Sequence, residues 1–168
     1  MRRPSLAAAL VASLAASALL AGCNKKPEAP KPAPYDLSAA SNHKYLADYA
    51  AKPGVHKTAD GLEYRIIKQG TGKTPQRPDD MVTVRYKGTL ITGKLFDQTQ
   101  PGQTAAFPAG AVIPGWVEAL SMMKEGDEWE LVIPSELGYG PEGAGNGVIP
   151  PDQTLVFDVT LVSVQPAP

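Results

Sequence analysis

Alternating apolar and polar positions indicate β-strands through the last two thirds of the chain. The alternation is plainest over residues 81–90 and recurs over residues 129–133 and 155–161. Residues 62–68 are rich in β-forming side chains and end before a Gly-Thr-Gly turn. Apolar residues at every second position are typical of antiparallel strands that turn one face to a core and the other to water. The pattern therefore predicts a half-buried antiparallel sheet.

One stretch within this region, residues 117–123, has helical character, and Gly126 follows it. A sheet with one apolar face needs another element to cover that face, and this stretch is the only candidate. We therefore predict an α+β domain in which an antiparallel sheet curls around one short helix.

A further short helix is predicted before the sheet, over residues 38–52, and a Pro-Gly pair ends it. Tyr45, Leu46 and Tyr49 fall on one side of this helix. It either packs on its own domain or pairs with a second copy of the chain. Three apolar anchors over 15 residues are too few for a coiled-coil seam, so we favour packing on the domain and expect a monomer.

The N-terminus has the features of a secretory signal peptide. Arg2 and Arg3 precede an uncharged, apolar stretch, residues 6–20, whose 15 residues fall short of the roughly 20 that a membrane-spanning helix needs. The Leu-Ala-Gly-Cys sequence that follows resembles a bacterial lipobox, in which the cysteine is lipidated and becomes the new N-terminus. An ordinary signal peptide followed by a chance cysteine is the alternative. We predict a signal peptide at residues 1–22 and lipidation of Cys23, the only cysteine in the chain.

The predicted signal peptide leads into a proline-rich tether. Residues 23–36 contain four prolines, which indicates a semi-rigid spacer. We assign residues 37–59 to the short helix and its connection, and residues 60–165 to the main domain. Position 24 holds Asn and not the Asp that retains lipoproteins in the inner membrane. We therefore expect a lipid-anchored protein of the cell envelope, on the outer membrane and facing the periplasm.

Composition and charge exclude several classes of function. The 168 residues carry a formal net charge of −1, which argues against nucleic-acid binding. One cysteine and two histidines leave little material for a disulfide framework or a metal site. The Gly-x-Gly-x-x-Gly match at residues 138–143 contains a proline, so it does not open a helix as a dinucleotide site requires. No histidine lies in the main domain, which disfavours a Ser-His hydrolase, and we expect neither a metal nor a cofactor.

The remaining candidate chemistry is a set of aromatic side chains with one carboxylate, Asp97, among them. Aromatic residues on strand faces are usually core residues. Two features favour a pocket instead. Trp116 follows an Ile-Pro-Gly turn that leads into the predicted helix, and Tyr139 lies between two glycines in a loop where core packing demands no tyrosine. The aromatic set comprises Tyr86, Phe96, Phe107, Trp116, Tyr139 and Phe157.

Six short motifs occur in a fixed order between residues 61 and 164. They are Val84-Arg85-Tyr86-Lys87-Gly88, Phe96-Asp97, Val112-Ile113-Pro114-Gly115-Trp116, Leu137-Gly138-Tyr139-Gly140, Ile149-Pro150-Pro151 and Leu155-Val156-Phe157-Asp158-Val159. Each motif is weak alone, but their number and order are specific. Together they resemble the FKBP-type peptidyl-prolyl cis–trans isomerases, especially the bacterial envelope members.

The resemblance implies a five-stranded half-barrel wrapped around the short helix, with a pocket between them. It places Trp116 at the floor of the pocket, and Asp97 with the hydroxyl of Tyr139 at a polar rim. It makes the backbone N–H of Ile113 a donor to a substrate carbonyl. It also implies that proline-containing polypeptides and macrolide inhibitors bind in this pocket. The residues implied as catalytic are Tyr86, Phe96, Asp97 and Tyr139, and those implied as substrate-binding are Val112, Ile113, Trp116, Ile149 and Phe157.

The implied activity is peptidyl-prolyl cis–trans isomerisation in exported proteins. Rotation about an X–Pro bond crosses a barrier of about 18–20 kcal/mol without breaking a covalent bond, so a dry pocket that binds the twisted amide needs no nucleophile or cofactor. A non-catalytic chaperone or binding module on the same scaffold is the alternative.

Two departures from the family are small residues at Ala105 and Ala106, which leave one wall open, and a loop of small residues at 141–148. We expect both to alter substrate preference and macrolide affinity more than activity.

Overall fold

The structure is a computed structural model that describes residues 34–168. The predicted signal peptide at residues 1–22, the predicted lipidation site Cys23 and most of the predicted tether lie outside the described residues. Within residues 34–168, no helix is both long enough and apolar enough to cross a membrane. The elements in chain order are α1 (Ala39–Ala50), β1 (Val55–Lys57), β2 (Glu63–Lys68), β3 (Met81–Leu90), β4 (Leu95–Gln98), β5 (Ala105–Pro108), α2 (Pro114–Met122), β6 (Glu128–Ile133), three 3-10 turns (Ser135–Leu137, Gly140–Glu142 and Gly145–Gly147) and β7 (Leu155–Gln165).

The strands of the described residues form one antiparallel sheet. Its order is β1-β2-β6-β7-β3-β4, and β5 also pairs with β3. The predicted antiparallel sheet is confirmed, and burial alternates along β3 and β7 as the sequence pattern predicts. The sheet has seven strands where the resemblance implied five. The strands β1, β4 and β5 are three or four residues long, which is too short for a period of two to be recognised in the sequence.

Helix α2 provides the cover that the sheet requires. Its residues Trp116, Ala119 and Leu120 are buried in one cluster with apolar side chains of β3, β6 and β7. The predicted arrangement of a sheet around a short helix is therefore confirmed. The helix begins at Pro114, three residues before the predicted start, because a proline at the first helical position has a suitable φ and needs no N–H there. Trp116 consequently lies within the helix and not after a turn that precedes it.

Helix α1 packs on the domain that follows it, beside β1 and β2. Its N-cap, Ser38, accepts a hydrogen bond from the Ser41 N–H at 3.2 Å. The predicted helix is confirmed with slightly shorter bounds. Tyr49 and Asn42 are buried, whereas Tyr45 is half-buried. The buried face of this helix is therefore partly polar, which the apolar pattern did not indicate.

Candidate active site

A cavity of about 400 Å³ lies between helix α2 and the sheet. Six of its ten lining residues are aromatic, so a bound group would contact mainly ring carbon atoms. Strands β3, β4, β5 and β7, helix α2 and the loop between β6 and β7 all contribute to the lining. The lining residues are Tyr86, Phe96, Asp97, Phe107, Ala111, Val112, Ile113, Trp116, Tyr139 and Phe157.

The indole of Trp116 forms the centre of the aromatic lining. It is 4% exposed, and its ring contacts those of Tyr86 and Phe157 edge-to-face, with centroids 5.4 and 5.3 Å apart. Phe107 contacts it from a third side at 5.9 Å. Such edge-to-face pairs stabilise beyond the area they bury and fix the angle between the rings. The shape of the cavity is therefore set before any ligand binds.

The two longest strands position the walls. Gly88 of β3 pairs with Phe157 of β7, and a Cβ at Gly88 would lie 2.7 Å from the rings of both Phe157 and Phe96. The missing side chain leaves room for these two rings, which meet edge-to-face at 5.4 Å. Glycine at this position is thus a requirement of the wall.

The rim of the cavity carries a short hydrogen bond between two predicted catalytic residues. The Tyr86 hydroxyl donates to Asp97 Oδ2 at 2.5 Å, and Asp97 Oδ1 accepts from the Gln98 N–H at 2.8 Å. Burial, together with the hydrogen bond to Asp97, raises the pKa of Tyr86 to about 12. The Tyr86 hydroxyl therefore stays protonated at physiological pH and its proton points to the carboxylate.

Tyr139 and Ile113 offer two further polar groups. Tyr139 is 39% exposed, and burial of part of its ring, with the charge of Asp97 nearby, raises the pKa of its hydroxyl. Ile113 is the N-cap of α2, and its carbonyl accepts from the N–H groups of Trp116 and Val117. Among the described residues the Ile113 N–H has no acceptor, so it is available to a ligand.

The structure brings eight of the nine predicted pocket residues together around the cavity. The exception is Ile149, which is 5% exposed in the core cluster and is not in contact with the cavity. Two lining residues have no assigned role in the predicted site: Phe107, which belongs to the predicted aromatic set, and Ala111. Phe107 lines the cavity from β5, whereas its neighbours Ala105 and Ala106 do not. Cys23 lies outside the described residues.

The lining contains no histidine, serine, cysteine or lysine. Within residues 34–168, no group of three or more His, Cys, Asp or Glu side chains is arranged to hold a metal ion. The arrangement can enclose an apolar group, exclude water from it, and offer hydroxyl and amide donors at the rim.

Comparison with known proteins identifies relatives of this chain. Residues 72–162 match a family model described as FKBP-type peptidyl-prolyl cis-trans isomerase, and residues 6–66 match one described as the domain amino terminal to it. The chain is 49% identical over 131 residues to the FKBP-type 22 kDa peptidyl-prolyl cis-trans isomerase of Escherichia coli K12, covering 77% of this chain and 63% of that protein. It is 45% identical over 129 residues to outer membrane protein MIP of Legionella longbeachae, covering 76% of this chain and 54% of that one. The chain thus spans less than two thirds of these relatives.

Solved structures agree with these matches. The structure of FkpA from Escherichia coli is similar with a TM-score of 0.72 at 45% identity, covering 77% of this chain and 60% of that one. A peptidyl-prolyl cis-trans isomerase from Pseudomonas syringae gives a TM-score of 0.70 at 42% identity, covering 76% of this chain and 92% of that one.

Proposed function

This chain belongs to the family of FKBP-type peptidyl-prolyl cis-trans isomerases, and we propose that it accelerates rotation about X–Pro bonds in exported polypeptides. The observation that carries the proposal is the preformed aromatic cavity with a hydrogen-bonded Tyr86–Asp97 pair at its rim. The proline ring of a substrate enters the cavity over Trp116. Its preceding amide lies at the rim, where the hydroxyl and N–H donors are.

Catalysis by this site is differential binding of the twisted amide. The planar X–Pro amide has resonance and charge separation that water stabilises, and the twisted amide has lost both. Removing water therefore favours the twisted state over the planar state. Every tenfold acceleration needs about 1.4 kcal/mol of such preference, so desolvation and a few oriented donors supply several factors of ten.

The residues divide into two groups by position. In our proposal, the rim and outer wall residues Tyr86, Phe96, Asp97 and Tyr139 act on the rotating amide, and Asp97 holds the Tyr86 hydroxyl in one orientation without transferring a proton. The Ile113 N–H binds a substrate carbonyl. The residues that hold the proline ring and its flanking side chains are Val112, Ile113, Trp116 and Phe157, with Ile149 behind them.

A protease-coupled assay on a short X–Pro peptide tests the activity. We expect the chain to accelerate isomerisation, and Asp97→Ala, Phe96→Ala and Tyr139→Phe each to reduce kcat/KM. Asp60→Ala, which removes an exposed aspartate distant in sequence from the rim, is the matched control and should leave kcat/KM unchanged. Turnover unaffected by all three rim variants would refute the assigned site. A chain that prevents aggregation of a client but gives no acceleration would be the non-catalytic chaperone.

We also propose that the protein is anchored to the outer membrane, facing the periplasm, through a lipid on Cys23 after removal of residues 1–22. The lipobox-like sequence and the name of the related Legionella protein support this placement. The proline-rich residues 23–36 then connect the anchor to the helix and to the catalytic domain, residues 60–165. Mass spectrometry of the mature N-terminus should find a diacylated or triacylated cysteine. A free cysteine or a different cleavage site would contradict the anchor.

Macrolide binding and a monomeric state complete the proposal. The cavity volume and its ring lining suit an apolar macrocycle. Titration of a macrolide against the isomerase activity should show competition with the peptide. Sedimentation of the chain without its signal peptide should give the mass of one copy.

A further inference from the structure

Helix α1 contributes a buried amide to the end of the loop that borders the cavity. Asn42 is 5% exposed. Its Nδ2 donates to Gln153 Oε1 at 3.2 Å and to the Ser38 carbonyl at 3.0 Å. Its Oδ1 accepts from the Thr154 N–H at 2.8 Å. The side chain therefore binds its own helix on one side and residues 153–154 on the other.

Gln153, which directly follows the loop, makes the reciprocal contacts. Its Nε2 donates to the carbonyl of Leu37, just before the helix, at 3.2 Å and to the carbonyl of Pro151 at 2.9 Å. Gln153 is 6% exposed, so these bonds are shielded from water. We name the hydrogen-bonded pair Asn42–Gln153 the amide clip.

The amide clip holds one end of the pocket loop, by which we mean residues 138–152. The Asp152 N–H donates to the Gly140 carbonyl at 2.9 Å, and Gly140 directly follows Tyr139, whose side chain lines the cavity. Only one backbone hydrogen bond thus separates the clipped segment from the rim. A shift of residues 151–154 would move Tyr139.

One residue of the same loop has an uncommon backbone conformation. Asp152 has a φ of 58°, in the left-handed region, which aspartate tolerates better than most residues with a Cβ but at some cost. Such a conformation persists only where surrounding contacts determine it. The contacts on either side of this conformation are the hydrogen bond of the Asp152 N–H to the Gly140 carbonyl and the amide clip at Gln153, the next residue.

We propose that Asn42 and Gln153 are positioning residues through which helix α1 holds the pocket loop, and with it Tyr139, in its place at the rim. The effect on catalysis rests on the proposed isomerase function, whereas the effect on the loop does not. Helix α1 is then part of the site although none of its residues lines the cavity.

Hydrogen exchange of the full chain tests the effect on the loop. In Asn42→Ala, the amides of Ala144, Ile149 and Asp152, which bond within the pocket loop, should exchange about tenfold faster than in the unaltered chain. Amides of β3 should change much less. His43→Ala, at the neighbouring exposed position of the same helix, is the control and should leave the loop amides unchanged. Equal rates in Asn42→Ala and the unaltered chain would overturn the proposal.

Kinetics test the effect on the site. A loop that must be ordered at each binding event raises KM, so Asn42→Ala should raise KM for the peptide severalfold and change kcat by less than about twofold. A general loss of stability would not change KM at a temperature where the variant is folded. In a Tyr139→Ala background, Asn42→Ala should raise KM little further, because the side chain that Asn42 positions has already been removed. Additive effects would contradict the proposal.

A second variant and a separate readout keep the two proposals distinguishable. Gln153→Ala removes the other partner of the amide clip and should reproduce the changes in exchange rate and KM. It therefore tests the role of the clip if Asn42→Ala does not fold. If the unaltered chain has no isomerase activity, the proposed function fails and hydrogen exchange alone decides the role of the clip. If the chain is active but both variants show unaltered loop exchange, only the amide clip is refuted.

Discussion

The wall of the cavity and the loop at its rim are held in place by different interactions. Trp116 and Phe157 are buried on a helix and a long strand whose backbone groups are bonded within regular structure, and their rings contact one another edge-to-face. The pocket loop consists of short 3-10 turns with glycines at positive φ. It is tied by a few backbone bonds and by the amide clip. The wall is therefore a product of core packing, whereas the rim depends on side chains distant in sequence.

The largest expected effect comes from removing the centre of the wall. Trp116→Ala should lower the free energy of unfolding by about 3–5 kcal/mol, because it leaves a cavity among three rings, and should lower kcat/KM at least about tenfold. Denaturant unfolding and the peptide assay at low temperature measure the two quantities.

A second tryptophan provides the matched control. Trp129 is also 4% exposed and stacks on Tyr64 with centroids 4.5 Å apart, but it does not line the cavity. Trp129→Ala should lose a similar free energy of unfolding while kcat/KM stays unchanged. If both variants lost activity equally at a temperature where both are folded, the wall would have no specific role in catalysis.

The next effect tests the rim. Gly143 has a φ of 62° and a ψ of −160°, a conformation essentially restricted to glycine, and a Cβ there would overlap the carbonyl oxygen of Ile149. Gly143→Ala should lower the free energy of unfolding by about 3 kcal/mol, since the clash adds to the strain. It should also raise KM, because the loop must shift.

Gly147→Ala separates the strain from the clash. Gly147 has a φ of 90°, but nothing lies within 4 Å of the position of its Cβ. We expect a cost of only about 1–2 kcal/mol and an unchanged KM. Equal KM changes in the two variants would mean that any strain in this loop disturbs the rim.

Two wall residues, Tyr86 and Phe157, follow from the alternation of long strands. In contrast, Phe96 on four-residue β4 and Trp116 were assigned only through the family resemblance. Strand β3 has the predicted bounds, residues 81–90, and its alternation places Tyr86 on the core side. Phe157 follows in the same way from β7. Phe107 belongs to the aromatic set that the sequence indicates, but no role in the site was predicted for it. Its place at the pocket depends on the pairing of β5 with β3, where it lies opposite Val82.

The support of the rim could not be predicted for a different reason. Asn42 and Gln153 are 111 residues apart in the sequence, and no local pattern connects them. Helix periodicity indicated an apolar side through Tyr45 and Tyr49, and a polar residue on a buried face contradicts such a pattern. Only the folded structure shows that the Asn42 side chain has hydrogen-bond partners for both its N–H and its oxygen.

A carboxylate holds another turn of the molecule, in contrast to the neutral amide clip that holds the pocket loop. Asp80 is 2% exposed and accepts from the N–H groups of Ala167, Gln76 and Arg77 at 2.8–3.0 Å. These hydrogen bonds, led by that of Ala167, lower the pKa of Asp80 from 3.8 to about 2. The stability that ionised Asp80 contributes is therefore fully present above pH 3.8 and is lost as the pH falls through about 2.

The lowered pKa of Asp80 predicts that substituting this residue has a pH-dependent effect on stability. Asp80→Asn should lower Tm at pH 7, because the amide adds donors where three N–H groups already point, and the gap to the unaltered chain should narrow between pH 4 and pH 2. Calorimetric scans across this range measure it. Asp79→Asn, at an exposed neighbour, should show no such gap. A gap that stays constant down to pH 2 would show that Asp80 acts through packing and not through its charge.

The smallest expected effect is that of pH on kcat/KM, because neither the wall nor the rim is expected to change its protonation near neutral pH. The cavity lining has no histidine, and the pKa of Tyr86 is raised to about 12 by burial and by its hydrogen bond to Asp97. Burial raises the pKa of Tyr139 as well. Both hydroxyls thus remain donors, and kcat/KM should vary by less than about twofold between pH 6 and pH 8. An uncoupled assay with a fluorescent peptide avoids the pH dependence of the protease. A bell-shaped profile centred in this range would mean that a proton is transferred, and the binding of a twisted amide by desolvation would then not suffice.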